Sequence, residues 1–290
     1  MRIIIVGAAG QLGTALRRTA PTGLNVVELT RSDVDISDER QVLAHPAFVG
    51  ADVVINCAAY TAVDNAEKPE QRDIAFAVNA LGAELLARRA AAEGAFVVQV
   101  STDYVFGSDT QRLAARSPWP VDAPTVPETV YGASKLAGER AVRAACPHSA
   151  IVRTAWVFSG PTQPDAPCFV TTMMRLAASG RDISVVNDQF GNPTFVDDLA
   201  RGIWALAAAS VPGVFHATGS GVATWYDLAV ATFELIDANP RRISPVTSEE
   251  YPRPAPRPKW SVLDDSAWLA SGFEPLPSWR DGLRRSLEVG

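Results

Sequence analysis

A short apolar strand followed at once by three evenly spaced glycines is the feature that most constrains this chain. Residues 3–6 are three isoleucines and a valine, as expected of a strand buried inside a parallel sheet. A helix is predicted at residues 12–19, directly after the glycine loop. Glycines at this spacing permit a tight turn and let the backbone approach a pyrophosphate group, which the helix N-terminus attracts. The loop therefore predicts a dinucleotide site. Its candidate residues are Gly7, Gly10, Gln11, Leu12 and Gly13.

Strand-like and helix-like segments alternate through the first half of the chain. The predicted strands are residues 3–6, 26–29, 52–56, 96–100 and 150–153, and the predicted helices are residues 12–19, 75–92 and 133–145. Repeated units of this kind predict an α/β fold, a doubly wound parallel sheet (Rossmann) with helices on both faces. The second half is richer in proline, and residues 240–258 are predicted to be too irregular for regular structure.

The change in character near residue 156 predicts two domains. Residues 1–155, with the chain returning at about 185–218, are expected to form the Rossmann domain that binds the dinucleotide. Residues 156–184 and 219–290 are expected to form a smaller, loop-rich C-terminal substrate-binding cap. A length of 290 residues is sufficient for two such units.

Composition excludes several classes of function. The net charge is −6 and no basic run would follow a phosphate backbone, so nucleic-acid binding is not expected. Three cysteines and three histidines are scattered without metal-ligand spacing, so we predict no metal site. No apolar run reaches membrane-spanning length and no signal peptide is recognisable, so we expect no membrane partner and a cytoplasmic location.

Arg31 and Glu28 favour different nicotinamide dinucleotides. An acidic residue at the end of the second strand holds the ribose hydroxyls of NAD, whereas an arginine there suits the 2′-phosphate of NADP. The predicted strand end places Arg31 at this position, so NADP is favoured. NADH stays open as an alternative, because Glu28 would take the position if the strand register were shifted by two. Further candidates for contacts with the cofactor are Asp35, Ile36, Ala58, Ala59 and Tyr60.

Tyr131 and Lys135 lie about one helical turn apart, so both side chains project from the same helix face. A nearby ammonium favours the phenolate, and we expect Lys135 to lower the pKa of Tyr131 from its usual value of about 10. Thr102 follows the strand predicted at 96–100, at the sheet edge where ligands of such folds bind. The three residues predict reduction of a ketone. Nicotinamide supplies the hydride, Tyr131 protonates the oxygen, Thr102 orients the carbonyl, and Lys135 also binds the nicotinamide ribose.

These residues resemble the extended short-chain dehydrogenase/reductase superfamily and, within it, the dTDP-4-dehydrorhamnose reductase family. The resemblance covers nearly the whole chain. It is carried by the motifs AYTAVD at 59–64, STDYVF at 101–106, YGASKLAGE at 131–139, RTAWVF at 153–158 and DQFGNPT at 188–194. It implies reduction of the 4-keto group of dTDP-4-dehydro-L-rhamnose to dTDP-L-rhamnose by NADPH, with Thr102, Tyr131 and Lys135 as the catalytic residues.

The resemblance also implies a set of residues around the nucleotide sugar. Val63, Tyr104 and Trp156 are placed near the sugar and the reacting carbon, with Asp103 beside them. A diphosphate needs fixed cations or N–H donors. The candidates for the nucleotide and diphosphate are Asn192, Arg253, Arg257 and Lys259.

One departure from the family and two alternatives bear on function. Some relatives dimerise through magnesium held by acidic residues, one of which lies in the first helix, but residues 14–16 of this chain are Thr-Ala-Leu. Magnesium is therefore not expected there, and a monomer and a homodimer both stay open. One alternative is a non-catalytic NADP-binding subunit resembling the methionine adenosyltransferase beta subunit. The other is a different NDP-sugar reductase or epimerase of the same superfamily.

Overall fold

Six strands form one parallel sheet that carries the candidate site. The computed structural model describes residues 1–161 and 168–288. The strands in chain order are β1 (Arg2–Val6), β2 (Asn25–Leu29), β3 (Val53–Asn56), β4 (Phe96–Thr102), β5 (Ser149–Thr154), β6 (Val157–Phe158), β7 (Ile183–Val186), β8 (Phe190–Gly191), β9 (Thr194–Phe195), β10 (Gly213–His216), β11 (Ala223–Thr224) and β12 (Ile243–Val246). The main sheet has the order β10-β5-β4-β3-β1-β2, and all of its pairings are parallel.

Helices cover both faces of this sheet. In chain order they are α1 (Gln11–Arg18), α2 (Glu39–Ala44), α3 (Val63–Ala66), α4 (Pro69–Phe76), α5 (Ala83–Ala92), α6 (Thr110–Ala115), α7 (Val130–Ala145), α8 (Phe169–Ala178), α9 (Val196–Ala209), α10 (Trp225–Leu235), α11 (Ser266–Ala270) and α12 (Trp279–Glu288). Successive side chains of a strand point to opposite faces. Ile3 and Ile5 accordingly pack with α1 and α9, whereas Ile4 and Val6 pack with α5 on the other face.

The predicted doubly wound sheet is confirmed, with boundaries that matter for the site. Strand β4 runs to Thr102, two residues beyond its predicted end, and α7 begins at Val130 rather than at residue 133. Thr102 therefore ends a strand, and Tyr131 lies in the first turn of α7. The helix predicted at 75–92 starts earlier, at Pro69, and passes through a π-helical turn at Ala77–Gly82 before continuing as α5.

The second half builds three small two-stranded sheets beside the main sheet. They pair β11 with β8, β12 with β7, and β6 with β9. The prediction that residues 240–258 lack regular structure was wrong in part, because β12 lies within them and pairs in register with β7. We propose the division into Rossmann domain and cap as stated above. Its boundary near residue 185 falls inside β7, and residues 162–167 of the cap lie outside the described residues.

Gly7 lies where the ends of β1, β2 and β3 meet. Its φ is 80°, a conformation that residues with a Cβ rarely adopt. A Cβ placed on Gly7 would lie 2.6 Å from the Ala58 backbone nitrogen. The Gly7 and Ala8 N–H groups both donate to the Leu29 carbonyl, at 2.8 and 3.0 Å. The turn after β1 is thus closed against both neighbouring strands, and only glycine fits it.

Replacing Gly7 by alanine should destabilise the fold more than the same change at Gly23. Gly23 also has a positive φ, of 85°, but nothing lies within 4 Å of the Cβ it would gain. We expect Gly23→Ala to lower the free energy of unfolding by about 1 kcal/mol through backbone strain alone. Gly7→Ala adds overlap with Ala58 and should cost about 3 kcal/mol. Urea unfolding of both variants measures the difference, and equal losses would contradict this account of the turn.

Candidate active site

A cavity of about 490 Å³ lies at the carboxyl ends of β1, β2 and β3. Chain order reverses between β1 and β3, and ligands of open parallel sheets bind at such a switch point. Its lining includes these predicted cofactor residues: Gly7, Gly10, Arg31, Asp35, Ile36, Ala58, Ala59 and Tyr60. Sequence reasoning did not assign further lining residues to the site, among them Thr30, Val34, Gln71, Ile74 and Val78. The last three repeat at helical spacing along α4 and the π turn, which is the signal that could have found them.

Helix α1 presents its N-terminus to this cavity. Gly10 is the N-cap residue and supplies no side chain to satisfy the first N–H groups of the helix. The backbone N–H groups of Gln11 and Leu12 therefore stay available to an anion, which the helix dipole also favours. The Gln11 side chain is used elsewhere, because its Nε2 donates to Ser159 Oγ at 3.1 Å.

Arg31 and Glu28, the two candidates for recognition of the adenosine ribose, lie in different surroundings. Glu28 lies outside the cavity lining and pairs with Arg17, Oε2 to Nε at 2.6 Å. Arg31 lines the cavity with a side chain that is 87% exposed, and its closest carboxylate, Asp35, is 3.9 Å away. Hydrogen bonds from Ser37 hold the pKa of Asp35 below its usual value. An arginine with this freedom can turn toward a phosphate at the mouth of the cavity.

Thr102, Tyr131 and Lys135 converge beyond the end of β4. Thr129 caps α7 by accepting the Gly132 N–H at 2.9 Å, which places Tyr131 in the first turn. The Thr102 hydroxyl lies near enough to the Tyr131 phenol to lower the pKa of that phenol. Lys135 is 4% exposed, and its Nζ donates to the Val100 carbonyl at 2.6 Å. The arrangement can hold a carbonyl oxygen between a hydroxyl and a phenol and supply it with a proton.

Burial is the main influence on the pKa values of Tyr131 and Lys135. Burial raises the pKa of Tyr131 to about 12, although the nearby Thr102 hydroxyl lowers it. Burial also lowers the pKa of Lys135 to about 8, against the opposing effect of the Glu139 carboxylate. The expectation that Lys135 lowers the tyrosine pKa below 10 was therefore wrong for this arrangement. The ammonium is turned to the Val100 carbonyl and desolvation of the phenol dominates.

A buried asparagine that sequence reasoning missed ties the cofactor cavity to the catalytic helix. Asn79 lies in the π-helical turn, and its Oδ1 accepts the Tyr60 N–H at 2.8 Å. Its Nδ2 donates to the Tyr60 carbonyl at 3.1 Å and to Ser134 Oγ at 2.9 Å. Ser134 in turn donates to the Tyr131 carbonyl at 2.7 Å. A single asparagine in an alanine-rich helix was the available signal, because a buried amide needs partners.

Two further cavities, of about 370 and 220 Å³, are lined mainly by residues of the proposed cap. They share four lining residues, which are Gln189, Tyr251, Arg253 and Arg257, and Tyr104 lines the larger cavity. The ring of Tyr104 meets that of Tyr131 edge to face, with centroids 5.6 Å apart. Asp64 pairs with Arg257 at 3.0 Å and with Arg253 at 3.9 Å, so both predicted arginines face one carboxylate. Val63 precedes Asp64 at the start of α3.

Trp156 is held in a strained conformation against a second tryptophan. Its φ is 47°, rare for a residue with a bulky side chain. Its indole stacks on Trp225, with ring centroids 3.7 Å apart and planes 6° from parallel. Trp225 lines the 370 Å³ cavity, and the sequence had given no reason to select it. The Trp225 ring gives that cavity a flat apolar wall, and Trp156, which lines none of the three cavities, stacks on it.

Three predicted substrate residues are engaged by other groups. Asn192 is buried, donating to the Gly221 carbonyl at 2.8 Å and accepting the Leu263 N–H at 2.8 Å. The structure therefore gives it a structural role in place of the predicted contact with the nucleotide. Lys259 lines none of the three cavities and pairs with Asp188 at 3.3 Å.

Asp103 is the third of these residues. It is buried behind Thr102, whose hydroxyl donates to its Oδ1 at 2.9 Å, so it supports Thr102 instead of lining a cavity. Burial raises the pKa of Asp103 to about 6, partly offset by the nearby Ser261 hydroxyl and by the hydrogen bond from Thr102.

The part of the chain that the structure describes offers no candidate metal centre. No group of three or more histidine, cysteine, aspartate or glutamate side chains there is placed to hold an ion. Within the same residues, no helix has both the length and the apolar character that a membrane crossing requires.

Known proteins similar to this chain share its whole length. A sequence profile described as RmlD substrate binding domain matches residues 1–289. The dTDP-4-dehydrorhamnose reductase of Mycobacterium tuberculosis strain H37Rv is 47% identical over 291 residues, covering 99% of this chain and 92% of that protein. This chain belongs to the dTDP-4-dehydrorhamnose reductase family. The resemblance drawn from the sequence motifs is thereby confirmed.

Two further proteins that are similar to this chain bear on its function. The crystal structure of the Bacillus anthracis dTDP-4-dehydrorhamnose reductase, in complex with NADP, is 36% identical. It has a TM-score of 0.90 and covers 98% of this chain and 97% of its own. A Streptomyces antibioticus protein, a probable dTDP-4,6-dihydroxy-2-methyloxan-3-one 4-ketoreductase, is 43% identical over 99% of this chain and 94% of its own length. Relatives that are named for different sugar substrates are therefore similar in sequence to this chain to nearly the same degree.

The buried carboxyl of Asp103 should make stability depend on pH. Its pKa in the folded chain, about 6, lies above the value of about 4 expected when unfolded, so the folded state binds the proton more tightly. Stability from this group is therefore lost as the pH rises from about 4 to 6, by at most about 3 kcal/mol. Asp103→Asn should remove this loss, as measured by urea unfolding between pH 4 and 7.

Asp188→Asn is the matched control for that titration. Against the effect of burial, Ser248 and Lys259 hold the pKa of Asp188 below its usual value, so any change that Asp188 makes to stability near pH 4 has the opposite sign to that of Asp103. The control variant should keep the wild-type fall in stability. If Asp103→Asn keeps it as well, Asp103 does not titrate as described.

Proposed function

We propose that this protein reduces the 4-keto group of dTDP-4-dehydro-L-rhamnose to dTDP-L-rhamnose with NADPH. The observation that carries the proposal is that Thr102, Tyr131 and Lys135 lie together beyond the end of β4, the strand next to β3, whose end lines the cavity at the sheet switch point. The 47% identity with the M. tuberculosis reductase supports the same assignment over the whole chain.

The residues of the first cavity fit a nicotinamide dinucleotide. Gly7 brings the backbone so close to Ala58 that a Cβ would collide, and the uncapped start of α1 faces the same space. Arg31, free at the mouth, supports a preference for the 2′-phosphate of NADP, and the B. anthracis structure was solved with NADP bound. The remaining adenosine contacts fall to Asp35 and Ile36, which line the wall after β2.

Reduced nicotinamide, when bound, supplies the hydride for the carbonyl carbon. Tyr131 donates the proton that the carbonyl oxygen then needs, and Thr102 holds that oxygen by a hydrogen bond. Lys135 contributes a positive charge one helical turn from Tyr131, so that the tyrosinate left after proton transfer is stabilised. Because Tyr131 stays protonated at neutral pH, it acts as the acid in the direction of reduction.

The cap supplies the contacts for the nucleotide sugar. Trp156 and Trp225 form an apolar wall suited to the 6-deoxy edge of the hexose. Arg253 and Arg257 line both cap cavities and suit a diphosphate, which accepts the hydrogen bonds that Asp64 now receives. We infer that Tyr104 and Val63 lie along the path between sugar and diphosphate.

A second candidate function is reduction of a different 4-keto-6-deoxy sugar joined to dTDP. The 43% identity with the S. antibioticus 4-ketoreductase favours this alternative nearly as much as the M. tuberculosis identity favours the first. Both reactions would use the same three catalytic residues and differ in how the cap holds the hexose.

The purified protein should consume NADPH when given dTDP-4-dehydro-L-rhamnose, as followed by the absorbance of NADPH. Tyr131→Phe removes the proton donor without changing the ring, so kcat should fall by about 10²- to 10⁴-fold. Tyr226→Phe is the matched control, since Tyr226 packs in the cap core and should leave the rate unchanged. A panel of other dTDP-linked 4-keto sugars separates the two candidate substrates. Binding of NADPH without consumption by any of them would instead favour a non-catalytic subunit.

Arg31→Ala should weaken binding of NADPH more than binding of NADH. Loss of one charge-assisted contact at an exposed site corresponds to roughly a tenfold rise in the Kd for NADPH. Glu28→Ala is the control, because Glu28 pairs with Arg17 outside the cavity and should leave both affinities unchanged. Fluorescence titration of each variant with NADPH and with NADH gives four Kd values, and each is compared with the wild-type value as a ratio. Equal weakening of NADPH and NADH would remove Arg31 from the 2′-phosphate site.

A further inference from the structure

Glu139 lies on the same face of α7 as Tyr131 and Lys135, one turn beyond the lysine. It is 4% exposed, and its carboxylate accepts three hydrogen bonds. Ser101 Oγ donates to Oε1 at 2.6 Å, Arg153 Nε donates to Oε1 at 2.9 Å, and Arg153 Nη2 donates to Oε2 at 2.7 Å. The reaction described above makes no use of Glu139 or Arg153.

Arg153, like Glu139, is held in place by several contacts. It pairs across β5 and β4 with Ser101, and its Nη1 donates to the Val121 carbonyl at 3.1 Å. Its guanidinium lies 5.1 Å from the centre of the Phe106 ring. Burying two charges costs more than burying apolar groups of the same volume, even when the pair is well made. A pair of this kind, one turn from the active lysine, calls for a functional reason.

Lys135 faces a small set of titratable and charged groups. On its own helix this is Glu139, and after β3 it is the nearby thiol of Cys57. Arg153 on β5 is paired with Glu139 and is not among the groups that act on Lys135, and burial with the Arg153 charge keeps the pKa of His216 on β10 at about 3, so that histidine is uncharged. Glu139 is thus the carboxylate that opposes the loss of the proton from the buried ammonium.

We propose that Glu139, clamped by Ser101 and Arg153, is a positioning residue that keeps Lys135 protonated beside the reacting groups. The proposal rests on the proposed reductase function, in which the charge of Lys135 stabilises the tyrosinate. Ser101 and the Val100 carbonyl are neighbours on β4, so one strand end holds both the carboxylate and the ammonium. Without the carboxylate, burial alone would shift Lys135 toward its neutral form at physiological pH.

The chain offers a direct measurement, because its only lysines are Lys68, Lys135 and Lys259. Protein labelled with ¹³C at lysine Cε gives three NMR signals, and Lys68→Arg and Lys259→Arg assign them. In Glu139→Gln, Lys135 should titrate at a pH lower by about 1. Ser101→Ala keeps the charge of Glu139 and should move the titration less.

A second variant is needed as a check, because Glu139→Gln leaves the Arg153 charge buried without its partner and can prevent folding. The double variant Glu139→Gln, Arg153→Met removes both charges and should fold. Lys135 should still titrate below its wild-type pH in this variant. An unchanged Lys135 titration in a folded variant lacking the Glu139 carboxylate would overturn the proposal.

Activity then separates this proposal from the proposed function. In the variants lacking the carboxylate, the upper pH limit of kcat should move down with the Lys135 signal, while KM for the sugar nucleotide changes little. Glu139→Asp, which restores the charge, should recover part of the shift. If the wild type reduces no 4-keto sugar, the function fails while the NMR result still decides the role of Glu139. If the wild type is active and the Lys135 titration stays in place, only the Glu139 proposal fails.

Discussion

Parallel pairing of β1, β3, β4 and β5 is the constraint on which the site depends. It brings the carboxyl ends of strands far apart in sequence to one edge. A buried polar contact fixes that edge, because Asn56 Nδ2 donates to Gln99 Oε1 at 2.7 Å and Gln99 Nε2 donates to the Val100 carbonyl at 2.9 Å. The same Val100 carbonyl receives the Lys135 ammonium. The strand ends, the cofactor cavity and the catalytic helix are therefore positioned by one continuous set of contacts.

Features set by short-range spacing were the ones that the sequence could predict. The glycine loop, Tyr131 with Lys135, and Thr102 at a strand end each depend on residues within one or two turns of each other. The order of the parallel sheet follows from repeated β-α units in the same way. Their prediction needed no knowledge of how distant segments meet.

Features that depend on distant partners were missed or misassigned. Asn192 looked available to a ligand, but its amide is satisfied by Gly221 and Leu263, about thirty and seventy residues away. The place of Trp225 beside the site could not be predicted, because its ring meets Trp156 only through the packing of α10 against the cap loops. The pKa of Tyr131 was misjudged for a similar reason, since spacing along a helix indicates proximity to a lysine and says nothing of desolvation by neighbouring segments.

The pairing of Asp64 with the two cap arginines has a consequence for selectivity. In the proposed site, Arg257 loses little side-chain freedom when a ligand arrives, because Asp64 already holds it at 3.0 Å, so part of the entropic cost of recognition is met during folding. The incoming anion replaces an existing partner instead of meeting bare charges, which makes the net electrostatic gain modest. Discrimination at this position then depends on the fit of oxygen atoms to the guanidinium forks, and a group with several oxygens in the correct geometry outcompetes a single carboxylate.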